Sequence, residues 1–325
     1  MEGAALPIPL RELQRWRLKL AKTVPARGLG QHLRRRAGQA LEFRDHRPHA
    51  PGDDIRWVDW RASLRSGRPD HLLIRRFEAE EQLSLAVVID ARPAMRLPED
   101  TGKLTVAAWV VLCLAEIVAQ GGDELMLATL FGRQEGRGPI RARAGMARPA
   151  AQRFTDDLLA PDPRQLDLPH TARTASLIAR LRPASAVLLI SDMLFDDPLG
   201  EVAAFAHAAQ RARRELVVLE LDSFEAEAAA LRGSERLLAV EGRAFGEGLR
   251  LIGEAELADA RQAVAAHHAT RWRQWARGGL FWPRAHPMRW PSDKSDPRAR
   301  NRSGWFADAF LRAPAIRAVL ARGTA

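Results

Sequence analysis

Leu85-Ala86-Val87-Val88-Ile89-Asp90, then Ala91-Arg92-Pro93-Ala94, then a long apolar segment from Lys103 to Gln120: this stretch decides how the chain folds. Five consecutive apolar residues without polar alternation suit a strand buried on both faces, as in a parallel sheet covered by helices. Pro93 and Pro98 end that strand. From Lys103 the period changes, and Val106, Val110, Leu114 and Ile117 share one helical face. Strand, acidic tip, loop and helix form the first half of a βαβ unit. Ligands of open α/β sheets gather at the carboxyl ends of the strands, which is where Asp90 sits.

The same grammar recurs downstream. Residues 125–130 form a second apolar run, 187–191 a third tipped by Asp192, and 216–221 a fourth tipped by Asp222. Helical segments are expected at 5–22, 103–120, 150–159, 174–181, 198–213, 254–277 and 305–320. Buried strands separated by helices predict an α/β chain with a doubly wound, mostly parallel sheet. Asp90 and Asp192 should then share one edge on adjacent strands. The expected organisation is an N-terminal extension over 1–80, the sheet domain over 81–254 and a C-terminal helical extension over 255–325.

Composition removes several function classes. The net charge is +10, but only four of the 50 basic residues are lysine, and tyrosine is absent while arginine, alanine, glycine and proline abound. That pattern is partly compositional bias, and no nucleic-acid motif accompanies it, so no specific nucleic-acid partner is expected. Cys113 stands alone within an apolar helix, where it reads as a small buried residue. Arg11, Arg15, Arg17 and Lys19 interrupt any leader-like core, and the most apolar stretch, 106–115, is about half a membrane span. No membrane segment and a cytoplasmic location are expected. No nucleophile elbow, Walker loop or zinc-helix motif occurs. His46, His49, His267 and His268 read as surface residues, the last two diverging by about 100° on one helix.

Residues 38–81 are dense in Asp, Arg and Trp. Gly52-Asp53-Asp54 has turn chemistry, and Arg56, Trp57, Asp59, Trp60 and Arg61 follow closely. One reading is a charged extension clamped to the core by its tryptophans; the other is a functional loop. Glu42-Phe43-Arg44-Asp45-His46-Arg47-Pro48, Pro51-Gly52-Asp53-Asp54-Ile55-Arg56 and Asp59-Trp60-Arg61-Ala62-Ser63 together resemble the signature of the "domain of unknown function 58" family. The resemblance continues through Arg75, Arg76, Glu78, Glu81, Asp90, Lys103 and Gly122-Asp123, with His49 replacing a usual tyrosine.

That resemblance implies a von Willebrand factor A-like (Rossmann-like) sheet domain and a non-enzymatic interaction role. Relatives look like partners of MoxR-type AAA+ ATPases, acting in assembly or maturation of other proteins. The block Asp53, Asp54, Arg56, Trp57, Asp59, Trp60 and Arg61 becomes the candidate docking surface. The fold it implies carries a D-x-S-x-S metal site completed by a threonine and a second aspartate, holding Mg²⁺ or Mn²⁺. Here the pentad is Asp90-Ala91-Arg92-Pro93-Ala94, so Arg92 and Ala94 replace both serines, while Asp192 matches the later aspartate and Thr171 and Thr174 are loose candidates. Weak binding of Mg²⁺ or Mn²⁺ by Asp90 and Asp192 is the most this set allows. Arg92 could instead bridge the two carboxylates or point to solvent, and Asp90 has a plain reading as a capping carboxylate. The alternative function is a hydrolase or other metal-assisted enzyme using Asp53, Asp54, Asp59 or Asp90.

Overall fold

The computed structural model describes residues 6–19, 41–50, 53, 55–65, 72–79, 83–98, 102–131, 138–160, 174–181, 186–211, 215–231, 253–291 and 301–322. The chain divides into two units, Met1–Thr23 with Leu83–Ala325, and Val24–Gln82. The larger unit opens with a short helix, α1 (Leu10–Leu13), and a strand, β1 (Trp16–Leu18). The smaller unit holds β2 (Leu41–Pro48), α2 (Trp60–Arg65) and β3 (Leu73–Ala79), with β2 and β3 paired antiparallel around a register shift at Phe43/Asp45. Val58 and Ile74 bridge and are buried together at its centre.

The rest of the larger unit alternates strands and helices. In order these are β4 (Ser84–Ile89), α3 (Lys103–Gly121), β5 (Glu124–Thr129), β6 (Ile140–Arg143), α4 (Ala144–Leu159), α5 (Thr174–Arg180), β7 (Ala186–Ser191), α6 (Glu201–Arg211), β8 (Glu215–Asp222), α7 (Phe224–Leu231) and α8 (Glu254–Trp275). β9 (Leu280–Phe281), β10 (Met288–Arg289), α9 (Arg302–Phe310), α10 (Pro314–Val319) and β11 (Leu320–Arg322) complete it. The sheet runs β6-β5-β4-β7-β8, with β9 and β10 both along the far side of β8. Every pairing is parallel except β5 with β6. The fold is therefore mixed α/β on a mostly parallel sheet, and its order reverses between β4 and β7.

Period-2 alternation divides the strands between two cores. Leu85, Val87, Ile89, Leu125, Leu127, Leu188, Ile190, Val217 and Leu219 face one side, with α3 and α4 above them. Ala86, Val88, Met126, Val187, Leu189, Leu216 and Val218 face the other, against Phe205 of α6 and Trp275 of α8. Both faces are fully buried, which is why these strands read as unbroken apolar runs. Gly122, at φ 75°, ends α3 in the left-handed conformation that glycine adopts most readily. At 19 residues α3 is long and apolar enough to span a membrane by length and composition, but 72% of its most apolar window is buried inside the unit. It is longer than its 106–115 centre suggested.

Several expected boundaries fall elsewhere. The 5–22 helix is reduced to α1, and Trp16–Leu18 instead pairs antiparallel with Leu320–Arg322. A partner strand supplied by the opposite end of the chain outweighs local helical spacing. The 305–320 helix is two helices, because Pro314 opens the second at a position where its missing N–H costs nothing. No boundary at 254/255 separates a C-terminal extension: β9 and β10 extend the central sheet, and Trp275 and Trp282 lie in its core. Likewise the 1–80 extension is not one piece, since its first 23 residues belong to the larger unit. Thr171 lies outside the described residues.

Candidate functional site

The order of the sheet reverses between β4 and β7, the point at which open α/β sheets generally gather their ligands. Asp90 follows β4 and Asp192 follows β7, so both carboxylates arrive at this point. The Asp90 N–H donates to the Ile190 carbonyl at 2.9 Å, extending the strand ladder to the aspartate itself. Between the two sits Arg92. Its Nε donates to Asp90 Oδ1 at 3.0 Å, and its Nη2 donates to Asp90 Oδ2 at 2.8 Å and to Asp192 Oδ1 at 2.6 Å. The guanidinium lies near the rings of Phe131 and Phe195, at 5.7 and 5.6 Å from their centroids. All three charged groups are at most 5% exposed. Removing one partner of so buried a pair typically costs about 3–5 kcal/mol, because the other charge is left uncompensated.

The network reaches further than the two aspartates. Lys103, in the first turn of α3, lies 3.0 Å from Asp192 Oδ2 and 3.1 Å from Glu227 Oε1 of α7. Gly102 makes that placement available: a Cβ there would lie 2.2 Å from the Arg96 carbonyl oxygen, so only glycine brings the helix start this close. Burial opposes the Lys103 charge, but Asp192 and Glu227 more than restore it and hold the ammonium above its ordinary value. Burial pushes Asp192 up, yet Lys103 and Arg92 together pull it well below the usual carboxylate range. Ser223 donates to Glu227, and Ser191 Oγ donates to Asp90 Oδ2 at 2.7 Å while accepting from the Met193 N–H at 2.8 Å.

A hard divalent cation takes about six oxygens at roughly 2.0–2.6 Å. Here each oxygen of Asp90 and Asp192 already accepts from Arg92, Ser191, the Leu194 N–H or Lys103. Ala94 offers no ligand, and the Thr174 hydroxyl is spent on the Glu201 carbonyl at 3.1 Å. The residues present do not fit Mg²⁺ or Mn²⁺.

On the β8 side, α8 grips the loop that carries Asp192. His268 Nε2 bonds the Asp192 carbonyl at 3.1 Å, His267 bonds the Met193 backbone, and Arg271 Nη2 donates to the Phe195 carbonyl. The two histidines are thus not surface residues. Adjacent helix positions that diverge in direction can still reach successive carbonyls of one crossing loop. Met193 holds φ at 60°, a left-handed conformation that the Cβ of any L-residue other than glycine disfavours, and its side chain is fully buried. Glu220 of β8 accepts from Trp282 Nε1 at 2.7 Å and faces His268 Nδ1 at 3.5 Å.

In the smaller unit the signature block has another character. Arg47 forks onto Asp53 at 2.6 and 2.7 Å, and this hydrogen bonding holds the Asp53 carboxyl well below its usual range. Asp59 caps α2 by accepting from the Ala62 N–H at 3.1 Å, and it meets His46 Nε2 at 3.1 Å. Ser63 Oγ donates to the Asp59 carbonyl and accepts from the Leu73 N–H, tying α2 to β3. Trp60 is not a core anchor: it is 55% exposed, and Leu64, one turn on, is 82% exposed. Ile55, Arg56, Arg61 and Arg65 are exposed as well. Asp54 and the Trp57 side chain lie outside the described residues.

Sequence reasoning placed Asp90, Arg92 and Asp192 at one point but passed over Lys103 and Glu227 as charges there. A single lysine opening an otherwise apolar helix was the available signal for Lys103; Glu227, in an Ala/Glu-rich helix, left none.

A family profile described as "Protein of unknown function DUF58" matches residues 45–238. No curated protein matches the chain. Among solved structures, the conserved hypothetical protein BatB from Bacteroides thetaiotaomicron aligns over 70% of this chain and 98% of its own, at 13% identity and a TM-score of 0.34.

Proposed function

The chain belongs to the DUF58 family of proteins of unknown function, and from that premise we propose that it is a non-enzymatic interaction module whose smaller unit docks a MoxR-type AAA+ ATPase. The larger unit is read as von Willebrand factor A-like. A 3-2-1-4-5-6 strand order with an antiparallel edge strand, counted from β4, supports that reading, and its strand-end metal site is read as degenerate. The observation that carries the docking proposal is the exposure of Trp60 and Leu64 four residues apart on α2, with Ile55 exposed nearby. Exposed aromatic residues beside arginines are the residue types that dominate interfaces. Asp53 and Asp59 support the surface from within, through Arg47 and the α2 cap, rather than by touching a partner. Because those carboxylates and Asp90 already hold internal partners, the hydrolase alternative has less to rest on.

The test is Trp60→Ala with Leu64→Ala. Tm should move by less than about 3 °C, because both side chains are exposed. Affinity for a MoxR-type ATPase should fall by about 2 kcal/mol or more, roughly 30-fold in Kd. A folded variant that binds as tightly as the parent chain would refute the docking surface.

A further inference from the structure

We propose that Arg92 and Lys103 together act as a built-in dication, which takes over at the β4/β7 strand ends the electrostatic work a divalent ion would do, so that this edge is set in one charge state without a metal. The proposal is independent of the docking surface on α2. Two positive charges converge on Asp192 from opposite sides, Arg92 Nη2 on Oδ1 at 2.6 Å and Lys103 Nζ on Oδ2 at 3.0 Å. Arg92 also clasps Asp90, and Lys103 reaches Glu227 at 3.1 Å. Three carboxylates from β4, β7 and α7 are thereby held by two cations from the β4–α3 segment. A divalent ion in such a site is recruited and lost with solution conditions, whereas both of these charges are covalently attached to the chain. Arg92 and Lys103 are each 3% exposed, so neither leaves an open position for an incoming carboxylate. Ser191 and the Leu194 N–H fill the remaining acceptor directions.

The arrangement also separates the two cations' roles. Arg92 is planar and bidentate, orienting Asp90 against Asp192, and a lysine could not repeat that fork. Lys103 is a point charge that closes the far oxygen of Asp192 and couples α3 to α7. Restoring serines at 92 and 94 therefore supplies oxygens but leaves Asp192 occupied.

The experiment is calorimetric titration of MnCl2 into the full chain, with thermal melts in excess Mn²⁺ and in EDTA. The parent chain should give no saturable heat and the same Tm in both. Arg92→Ser with Ala94→Ser should bind weakly or not at all, and adding Lys103→Met should tighten Mn²⁺ binding by about tenfold or more, since one nearby positive charge is removed. Saturable Mn²⁺ binding by the parent chain overturns the proposal. So does a double variant that binds as tightly as the triple, or a folded triple variant that takes no Mn²⁺. Because the variants could fail to fold, a second measurement uses the parent chain alone. Amine acetylation followed by peptide mapping should label Lys103 far more slowly in the native than in the urea-unfolded chain, and equal rates overturn its place in the network.

Discussion

Glu220 and His268 face each other between β8 and α8, and their environments push their acidities in opposite directions. Burial raises the Glu220 carboxyl to about 7 against the pull of the Trp282 N–H. Burial also lowers His268, favouring its neutral form. A carboxyl raised in the folded state stabilises fully below its unfolded value, and that contribution is lost as pH rises through the folded one. The depressed imidazole works the other way, its contribution being lost as pH falls. Glu220 alone should therefore remove about 3 kcal/mol as pH rises from the ordinary glutamate range through neutrality. Glu220→Gln should flatten that part of the Tm-against-pH curve, leaving the acid-side loss due to histidine. If the fall above neutrality is unchanged in the variant, other groups cause it. At this scale, charges that end an apolar run, such as Asp90 and Asp192, announce themselves in the sequence. Glu220, flanked by Leu219 and Leu221 within its strand, is recognisable as buried only once Trp282 is seen to cover it.

Among the elements, α8 positions the loop after β7. Arg271 is buried, donates to the Phe195 carbonyl, and stacks its guanidinium over Phe195 at 4.5 Å and Trp275 at 5.9 Å from the ring centroids. Arg271→Ala should cost about 2–4 kcal/mol, from a buried acceptor left unpaired and a void between two rings. Hydrogen exchange should accelerate at the amides of 193–197 more than in β4 or β5. Arg271→Lys should fail to restore protection, because an ammonium lacks the planar stacking face. A uniform rise in exchange across the sheet would mean that Arg271 serves global stability rather than the loop. α8 was legible as a helix from its length and composition. Its task was not, because the loop it grips lies about 75 residues away in the chain.

For the whole molecule, the ends of the chain close the larger unit. β1 and β11 pair, Ile8 and Leu13 share a core with Phe306, Phe310 and Ile316, and β9 and β10 flank β8. A chain ending at residue 253 would strip Trp275 and Trp282 from one core and Trp290, Trp305, Phe306 and Phe310 from the other. Fully burying one large apolar side chain contributes about 1.5–3 kcal/mol, so the joint loss of six is as large as the whole stability of an ordinary domain. That truncation should be insoluble or melt without a cooperative transition by calorimetry. A soluble fragment with a sharp melt would restore an independent C-terminal extension.

What the sequence determined by itself is the α/β class, the apolar strands of the sheet, and the two aspartates at its reversal. Those features follow from local regularities, largely apolar runs and helical spacing, that any sheet buried on both faces requires. The tertiary structure alone decided that residues 16–18 become a strand and that Trp60 faces outward. It also decided that Lys103 and Glu227 join Asp192, and that two histidines hold a distant loop. Each of these depends on a partner remote in the chain, and pairing energy between remote groups has no period along the sequence from which to read it.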